Sequence, residues 1–162
     1  MFFWFCILSV IGTALIFRSP ALDYRLIALG SLLPLLESLF GLRLLLHTLT
    51  FDVLLLFGIM LLGRGRRLIQ RRLLPIPIGL LSHLILDGTW TEAAVFWWPF
   101  MELDALGFFP NSGEFSSWKV SIGLESIGLL FGVWGWKKFA MKSQKNRRAL
   151  FIEGRLLELR VV

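Results

Sequence analysis

Two residues that can ligate a metal lie four positions apart in an otherwise apolar segment, residues 80–92, which reads LLSHLILDGTWTE. His83 and Asp87 share one face if this segment is helical, because side chains at positions i and i+4 are neighbours on a helix surface. An imidazole and a carboxylate on one face can bind a cation together, or the carboxylate can orient the imidazole that binds it. The spacing therefore predicts part of a metal site.

Two more polar residues, Glu37 and His47, lie within apolar runs earlier in the chain. Imidazole nitrogens and carboxylate oxygens together suit zinc, with manganese or iron as alternatives. We predict that His47, His83 and Asp87 bind a divalent cation, and that Glu37 is an additional ligand or the general base. A histidine between helices also serves as a structural hydrogen-bond partner, so that interpretation stays open.

Asp52 and Glu125 are interpreted as structural residues. Asp52 follows His47 by five positions and so falls on a different helix face. Glu125 is expected to pair with Arg43 or with a polar group of the same apolar run. Neither residue is assigned to the predicted metal site.

The composition of the 162-residue chain is strongly apolar, with 56% hydrophobic residues and a mean hydropathy of +0.73. A single core of this size cannot hide so much hydrocarbon from water. We therefore expect an all-α integral membrane protein.

Apolar runs of helical length predict about five transmembrane helices, since about 20 residues cross roughly 30 Å of hydrocarbon. The runs cover residues 2–17, 21–40, 42–62, 73–90 and 117–136. Together they form one expected transmembrane domain, residues 1–136. The rest, residues 137–162, is expected to be a basic amphipathic helix on the cytoplasmic surface.

The net charge of +6 is concentrated in two stretches beside apolar runs, residues 63–72 and 137–148. This distribution is typical of cytoplasmic flanks of membrane helices and favours anionic lipid over nucleic acid as the partner. The positive-inside rule then predicts a multi-pass protein of the bacterial inner membrane, with its C-terminus in the cytoplasm. Segment 91–116, with four acidic and no basic residues, would face outward. In this topology the four candidate site residues meet at the extracytoplasmic face.

Several segments of the chain resemble the bacterial membrane-bound metal-dependent hydrolase family (YdjM-like), and especially a small actinobacterial branch of it. They read DYRLIALGSLLP, HTLTF, LLPIPIGLLSHLILDGTWT and VFWWPF, and the resemblance covers about residues 20–136. The wider family is similar to zinc-dependent phospholipase C and related nucleases, which cleave phosphoesters with His and Asp ligands on helices. The resemblance implies that His47, His83 and Asp87 are metal ligands.

The chain departs from this family in the second apolar run. Relatives carry a pattern like Leu-Pro-Asp-x-x-Asp, whereas Leu35 and Ser38 occupy the acidic positions here and Glu37 lies one position away. Either Glu37 replaces a missing carboxylate, or one metal ligand is absent. The sequence leaves both possibilities open.

The expected function is metal-dependent hydrolysis of a phosphoester, such as that of a lipid, at the extracytoplasmic face. The lipid bilayer and further membrane subunits are the expected partners. The alternative is a non-catalytic accessory subunit of a larger membrane complex, in which the polar cluster only holds helices together.

Overall fold

The computed structural model describes residues 1–39, 45–100 and 118–157. The predicted turn at Gly41, the predicted partner Arg43 and most of segment 91–116 lie outside these residues. The described chain is built from helices. They are α1 (Phe2–Phe17), α2 (Tyr24–Leu39), α3 (Leu49–Leu62), α4 (Arg67–Leu73), α5 (Pro75–Asp87), α6 (Ala93–Phe96), α7 (Trp118–Lys138) and α8 (Gln144–Arg148), with 3-10 helices at Leu45–His47 and Thr89–Thr91 and a π-helical turn at Ala149–Glu153.

Local capping makes two helices shorter than the apolar runs that contain them. Helix α3 begins at Leu49 because the Thr48 side chain accepts a hydrogen bond from the Phe51 amide at 3.2 Å, as an N-cap does. Helix α5 begins with Pro75 and ends before Gly88, whose φ of 73° is the left-handed conformation that stops a helix.

The predicted transmembrane architecture is wrong. Helices α1 and α2 have 16 residues each, α3 has 14 and α5 has 13, whereas a span needs about 20. Helix α7 has 21 residues, but Lys119, Glu125 and two terminal lysines lower its hydropathy. Within the described ranges, none of the helices has both the length and the apolar character that crossing a bilayer requires.

This finding also overturns the predicted location as a multi-pass protein of the bacterial inner membrane, together with the sidedness derived from it. The helical class itself is confirmed, because every regular element of the described chain is a helix. The predicted division between residues 1–136 and 137–162 stays a prediction.

Helices α2 and α5 form the closest helix pair, and two glycines allow their backbones to touch. A β-carbon added to Gly79 would overlap the carbonyl oxygen of Ile27 and would lie 2.9 Å from the Ser31 nitrogen. A β-carbon added to Gly30 would overlap the carbonyl oxygen of Ile76. The atoms in the way are backbone atoms, so a larger residue at either position must push the helices apart.

We expect Gly79→Ala to lower the free energy of unfolding by about 2–3 kcal/mol, the range typical of overpacking a tight contact. Gly12→Ala is the matched control, because no atom lies within 4 Å of its added β-carbon. This control should be neutral or stabilising by up to about 1 kcal/mol, since Ala favours helix more than Gly does. Urea unfolding of both variants tests the difference, and equal stabilities would contradict the close packing.

Helix α1 runs parallel to α7 and antiparallel to α5, and it contacts both. Added β-carbons at Gly128 and Gly135 of α7 would meet Trp4 and Ile11 of α1, so α1 and α7 run parallel. Glu125 caps α1, because its carboxylate accepts the Phe3 amide at 2.8 Å. The expected partner Arg43 lies outside the described residues, and the capping contact was not predicted.

Contacts to α5 set the opposite direction. Phe5 stacks on His83 with ring centroids 4.0 Å apart, and the indole nitrogen of Trp4 donates to the carbonyl of Leu86 at 3.4 Å. Early residues of α1 therefore meet late residues of α5, and these two helices are antiparallel.

The hydrophobic core lies at the C-terminal end of α1, away from Phe5, and it includes residues that follow α7 in the chain. Its buried members are Ile11, Ala14, Tyr24, Ile27, Phe139, Met141 and Leu156. The Tyr24 amide also donates to the carbonyl of Gly154 at 2.8 Å. The segment that follows α7 is therefore packed against α1 and the start of α2.

Candidate metal centre

Three of the predicted site residues come together where α2, α3 and α5 meet. His47 is the last residue of the 3-10 helix before α3, while His83 and Asp87 lie one turn apart near the end of α5. Each offers one ligand atom, and these three atoms lie within 4.8 Å of one another. All three residues are buried, with exposed fractions of 1%, 1% and 8% in chain order.

The ring of His83 is held on two sides. Its Nδ1 lies 2.7 Å from the carbonyl oxygen of Ser31, and Phe5 stacks against one face of the ring. A carbonyl oxygen only accepts hydrogen bonds, so Nδ1 must carry the proton. The Nε2 atom then has the lone pair that a metal requires.

Glu37 holds His47 in the same way. Its Oε2 lies 2.9 Å from Nδ1 of His47, and its Oε1 accepts the amide of Leu46 at 3.1 Å. The carboxylate therefore fixes both the ring and the backbone of the 3-10 helix. A carboxylate behind a histidine is a common outer partner of metal-binding imidazoles, and it again leaves Nε2 as the ligand atom.

Asp87 is oriented by the residue two positions further along the chain. The Thr89 hydroxyl donates to Oδ2 of Asp87 at 2.8 Å, and Thr89 itself is 1% exposed. Gly88 makes this contact possible, because its left-handed conformation turns the chain back towards the end of α5. One carboxylate oxygen is thus held by Thr89 in a buried position.

The arrangement can hold a metal ion. Zinc accepts His nitrogens and carboxylate oxygens at roughly 2.0–2.2 Å, so two ligand atoms of one tetrahedral ion lie about 3.5 Å apart. Side chains whose ligand atoms are within 4.8 Å of one another need only small movements to converge on a common ion. The two histidine rings are already 5.6 Å apart between centroids and nearly perpendicular.

Glu37 is not one of the three converging residues within the described chain; it contacts His47 from behind. Its predicted function as an additional ligand or general base stays a prediction. Leu35 is half-buried, and the side chain of Ser38 lies outside the described residues.

Asp52 is a buried carboxylate in the first turn of α3. It is 5% exposed, and its Oδ1 has no hydrogen-bond partner in the described part of the chain. Burial raises its pKa to about 7. The sequence placed Asp52 off the face of His47, which is consistent with its absence from the three-residue group.

The groups that orient the three residues were not predicted from the sequence. The Ser31 contact uses a backbone carbonyl, for which no residue type is diagnostic. Phe5 was part of an apolar run without any distinguishing pattern. Thr89 lies only two positions after Asp87, so its closeness in sequence was the one signal for this contact.

Comparisons with protein-family models, with curated proteins and with solved structures gave no match.

Proposed function

We propose that this chain is a zinc-dependent phosphoester hydrolase whose metal is bound by His47, His83 and Asp87. The observation that carries the proposal is that each of these buried residues has its own orienting partner. These partners are Glu37, the Ser31 carbonyl and Thr89. These partners hold three side chains whose ligand atoms lie within 4.8 Å of one another, which supports a shared metal site.

The donor set supports zinc and a catalytic rather than a closed structural site. Two imidazole nitrogens and one carboxylate oxygen leave a fourth tetrahedral position for water or substrate. A zinc ion held by these residues would supply Lewis-acid chemistry, because it would polarise a phosphoryl oxygen and lower the pKa of a water to about 7. His47 and His83 would each offer a ring nitrogen held in place by a partner at Nδ1, and Asp87 would offer a carboxylate oxygen.

Apolar aromatic residues near the site support an amphiphilic substrate, such as the phosphoester of a lipid. Trp90 follows Asp87 by three residues and is 60% exposed, and Trp97 is 46% exposed. The Thr50 hydroxyl donates to the Trp98 carbonyl at 2.6 Å, which ties this aromatic segment to the start of α3 beside His47. Acyl chains could rest on these rings while the phosphate enters the polar centre.

The second candidate function is that of a non-catalytic accessory subunit. Leu35 and Ser38 replace the acidic pair expected from the resemblance, and both oxygens of Glu37 are occupied at the 3-10 helix. In that case the three residues hold α2, α3 and α5 together, and other protein subunits are the partners.

The purified full chain should first be freed of metal with a chelator and dialysis. It should then bind one added zinc or cobalt ion per molecule. Cobalt should give the visible absorption of a four-coordinate site, and zinc should activate hydrolysis of bis(p-nitrophenyl) phosphate and of a short-chain phospholipid. Binding without hydrolysis of either substrate would favour the accessory subunit. Absence of stoichiometric binding would exclude both the metal and the proposed reaction.

A further inference from the structure

The two basic segments of the chain lie at the same end of the helix bundle, far from the candidate metal centre. Helices α1 and α7 run parallel, and α5 runs antiparallel to α1. His47, just before α3, meets Asp87 at the end of α5, so α3 ends where α5 begins. The end of α3, all of α4 and the end of α7 therefore share one end of the bundle.

The α3–α4 corner, residues 60–72, has a defined shape. The side chain of Gln70 donates to the carbonyl of Met60 at 3.3 Å, and a β-carbon on Gly63 would lie 2.6 Å from Cγ of Gln70. The turn between the helices uses Gly65 with a φ of 83°. The corner is thus a folded unit rather than an irregular loop.

The charge of this corner is uncompensated. It carries five arginines, and the sequence has no Asp or Glu from residue 53 to residue 86. All five are exposed, and none forms an ion pair with an acidic side chain in the described ranges. They are Arg64, Arg66, Arg67, Arg71 and Arg72. By contrast, Arg25 at the same end of the bundle binds Asp23 at 2.8 Å.

Large apolar side chains of the same corner are exposed beside these arginines. Leu62 is 79% exposed and Leu68 is 84% exposed, and Leu61 and Ile69 are also exposed. Exposed apolar side chains that lie close together usually mark an interaction site, because their contact with water is unfavourable. A suitable partner must therefore offer negative charge and an apolar phase close together.

We propose that the α3–α4 corner is a docking site for the surface of an anionic lipid bilayer, which it contacts peripherally. The arginines would bind the phosphate headgroups, while Leu62 and Leu68 would enter the boundary of the acyl chains. A nucleic acid satisfies the arginines but leaves both leucines in water. A second copy of the chain would bring like charges together. The proposal is independent of catalysis at the metal centre.

The test is sedimentation of the full chain with two kinds of vesicle. One kind is neutral phosphatidylcholine, and the other contains about 30% of the anionic lipid phosphatidylglycerol. We expect binding to the anionic vesicles to be stronger and to weaken as salt is raised. Binding that is equal for both vesicle types would overturn the proposal, because it would reflect apolar adsorption alone.

Variants of basic residues test whether the α3–α4 corner is the part of the chain that contacts the vesicle. Arg67→Ser should weaken binding to anionic vesicles about fivefold, and the triple variant Arg66→Ser/Arg67→Ser/Arg71→Ser on the order of 100-fold, at about 1 kcal/mol per basic residue. Lys119→Ser is the matched control, because Lys119 is exposed at the start of α7, at the other end of the bundle. Arg67→Ser and Lys119→Ser variants with equal affinity would place the contact elsewhere and overturn the proposal.

Leu68→Ser separates lipid from nucleic acid. It should weaken vesicle binding while the charge stays unchanged, and a 20-nucleotide oligonucleotide should compete poorly for the wild-type chain. Tight oligonucleotide binding that Leu68→Ser does not change would identify a nucleic-acid surface instead. Since all these side chains are exposed, circular dichroism should show that every variant keeps the helical content of the wild type.

Discussion

His83→Ala is expected to weaken zinc binding by more than about 100-fold. Loss of an outer partner costs about 10–100-fold, and this variant removes a proposed direct ligand. Zinc-dependent hydrolysis should fall with it to the background rate. The change removes the proposed Nε2 ligand together with the contacts to the Ser31 carbonyl and to Phe5. Zinc titration against a competing chromophoric chelator and the rate of phosphodiester hydrolysis measure the two effects.

Ser82→Ala is the matched control for this variant, because Ser82 is the adjacent residue of α5 and its hydroxyl only bonds the Ile78 carbonyl within the helix. It should keep wild-type affinity. Glu37→Gln should be intermediate, about 10–100-fold weaker, since it weakens the hold on His47 but leaves the three ligands. A His83→Ala variant that keeps helical content and still binds one zinc ion would rule out the proposed centre.

Asp52→Asn is expected to stabilise the metal-free protein at pH 8 by up to about 4 kcal/mol and to leave stability at pH 4 nearly unchanged. Burial raises the pKa of Asp52 from an ordinary 3.8 to about 7. In the unfolded chain the carboxyl loses its proton near pH 4, whereas in the folded chain it keeps the proton to about pH 7. The wild type should therefore lose stability as pH rises from about 4 to 7, and asparagine removes this loss.

Urea unfolding in the presence of a chelator, at pH 4 and at pH 8, tests the difference between the two proteins. Asp23→Asn gives the opposite control. Burial acts to raise the pKa of Asp23, but hydrogen bonds and the charge of Arg25 outweigh it and hold the pKa below its ordinary value. The Asp23 carboxylate therefore stabilises the fold above pH 4, and its loss should be felt at pH 8. Parallel pH profiles for wild type and Asp52→Asn would show that Asp52 has a partner.

Local patterns in the sequence predicted several elements well. The first apolar run, residues 2–17, coincides with α1 because it is uninterrupted and ends at Arg18, before Ser19 and Pro20. The four-residue spacing of His83 and Asp87 placed both on one face of α5, since helical periodicity depends only on neighbours along the chain.

The transmembrane prediction failed because hydropathy averaged over a run does not reveal where a helix starts and stops. The run 42–62 contains the Thr48 cap, so its regular helix has only 14 residues. Composition also indicates how much apolar surface a chain has, but not which partner covers it. The exposed leucines of the α3–α4 corner are an example, since only the fold shows them beside arginines that form no ion pair within the described part of the chain.

The sequence by itself predicted the types of the candidate metal-binding residues, the pairing of His83 with Asp87, and His47 as the third residue, and the structure brings these three residues together. Only the tertiary structure decided how they are oriented. The Ser31 carbonyl reaches His83 across 52 positions because Gly30 and Gly79 let α2 and α5 touch, and Glu37 binds the ring of His47 instead of lying with the three residues. Such contacts depend on the distance between helices, which is set by packing across the whole bundle and leaves no pattern in any local stretch of sequence.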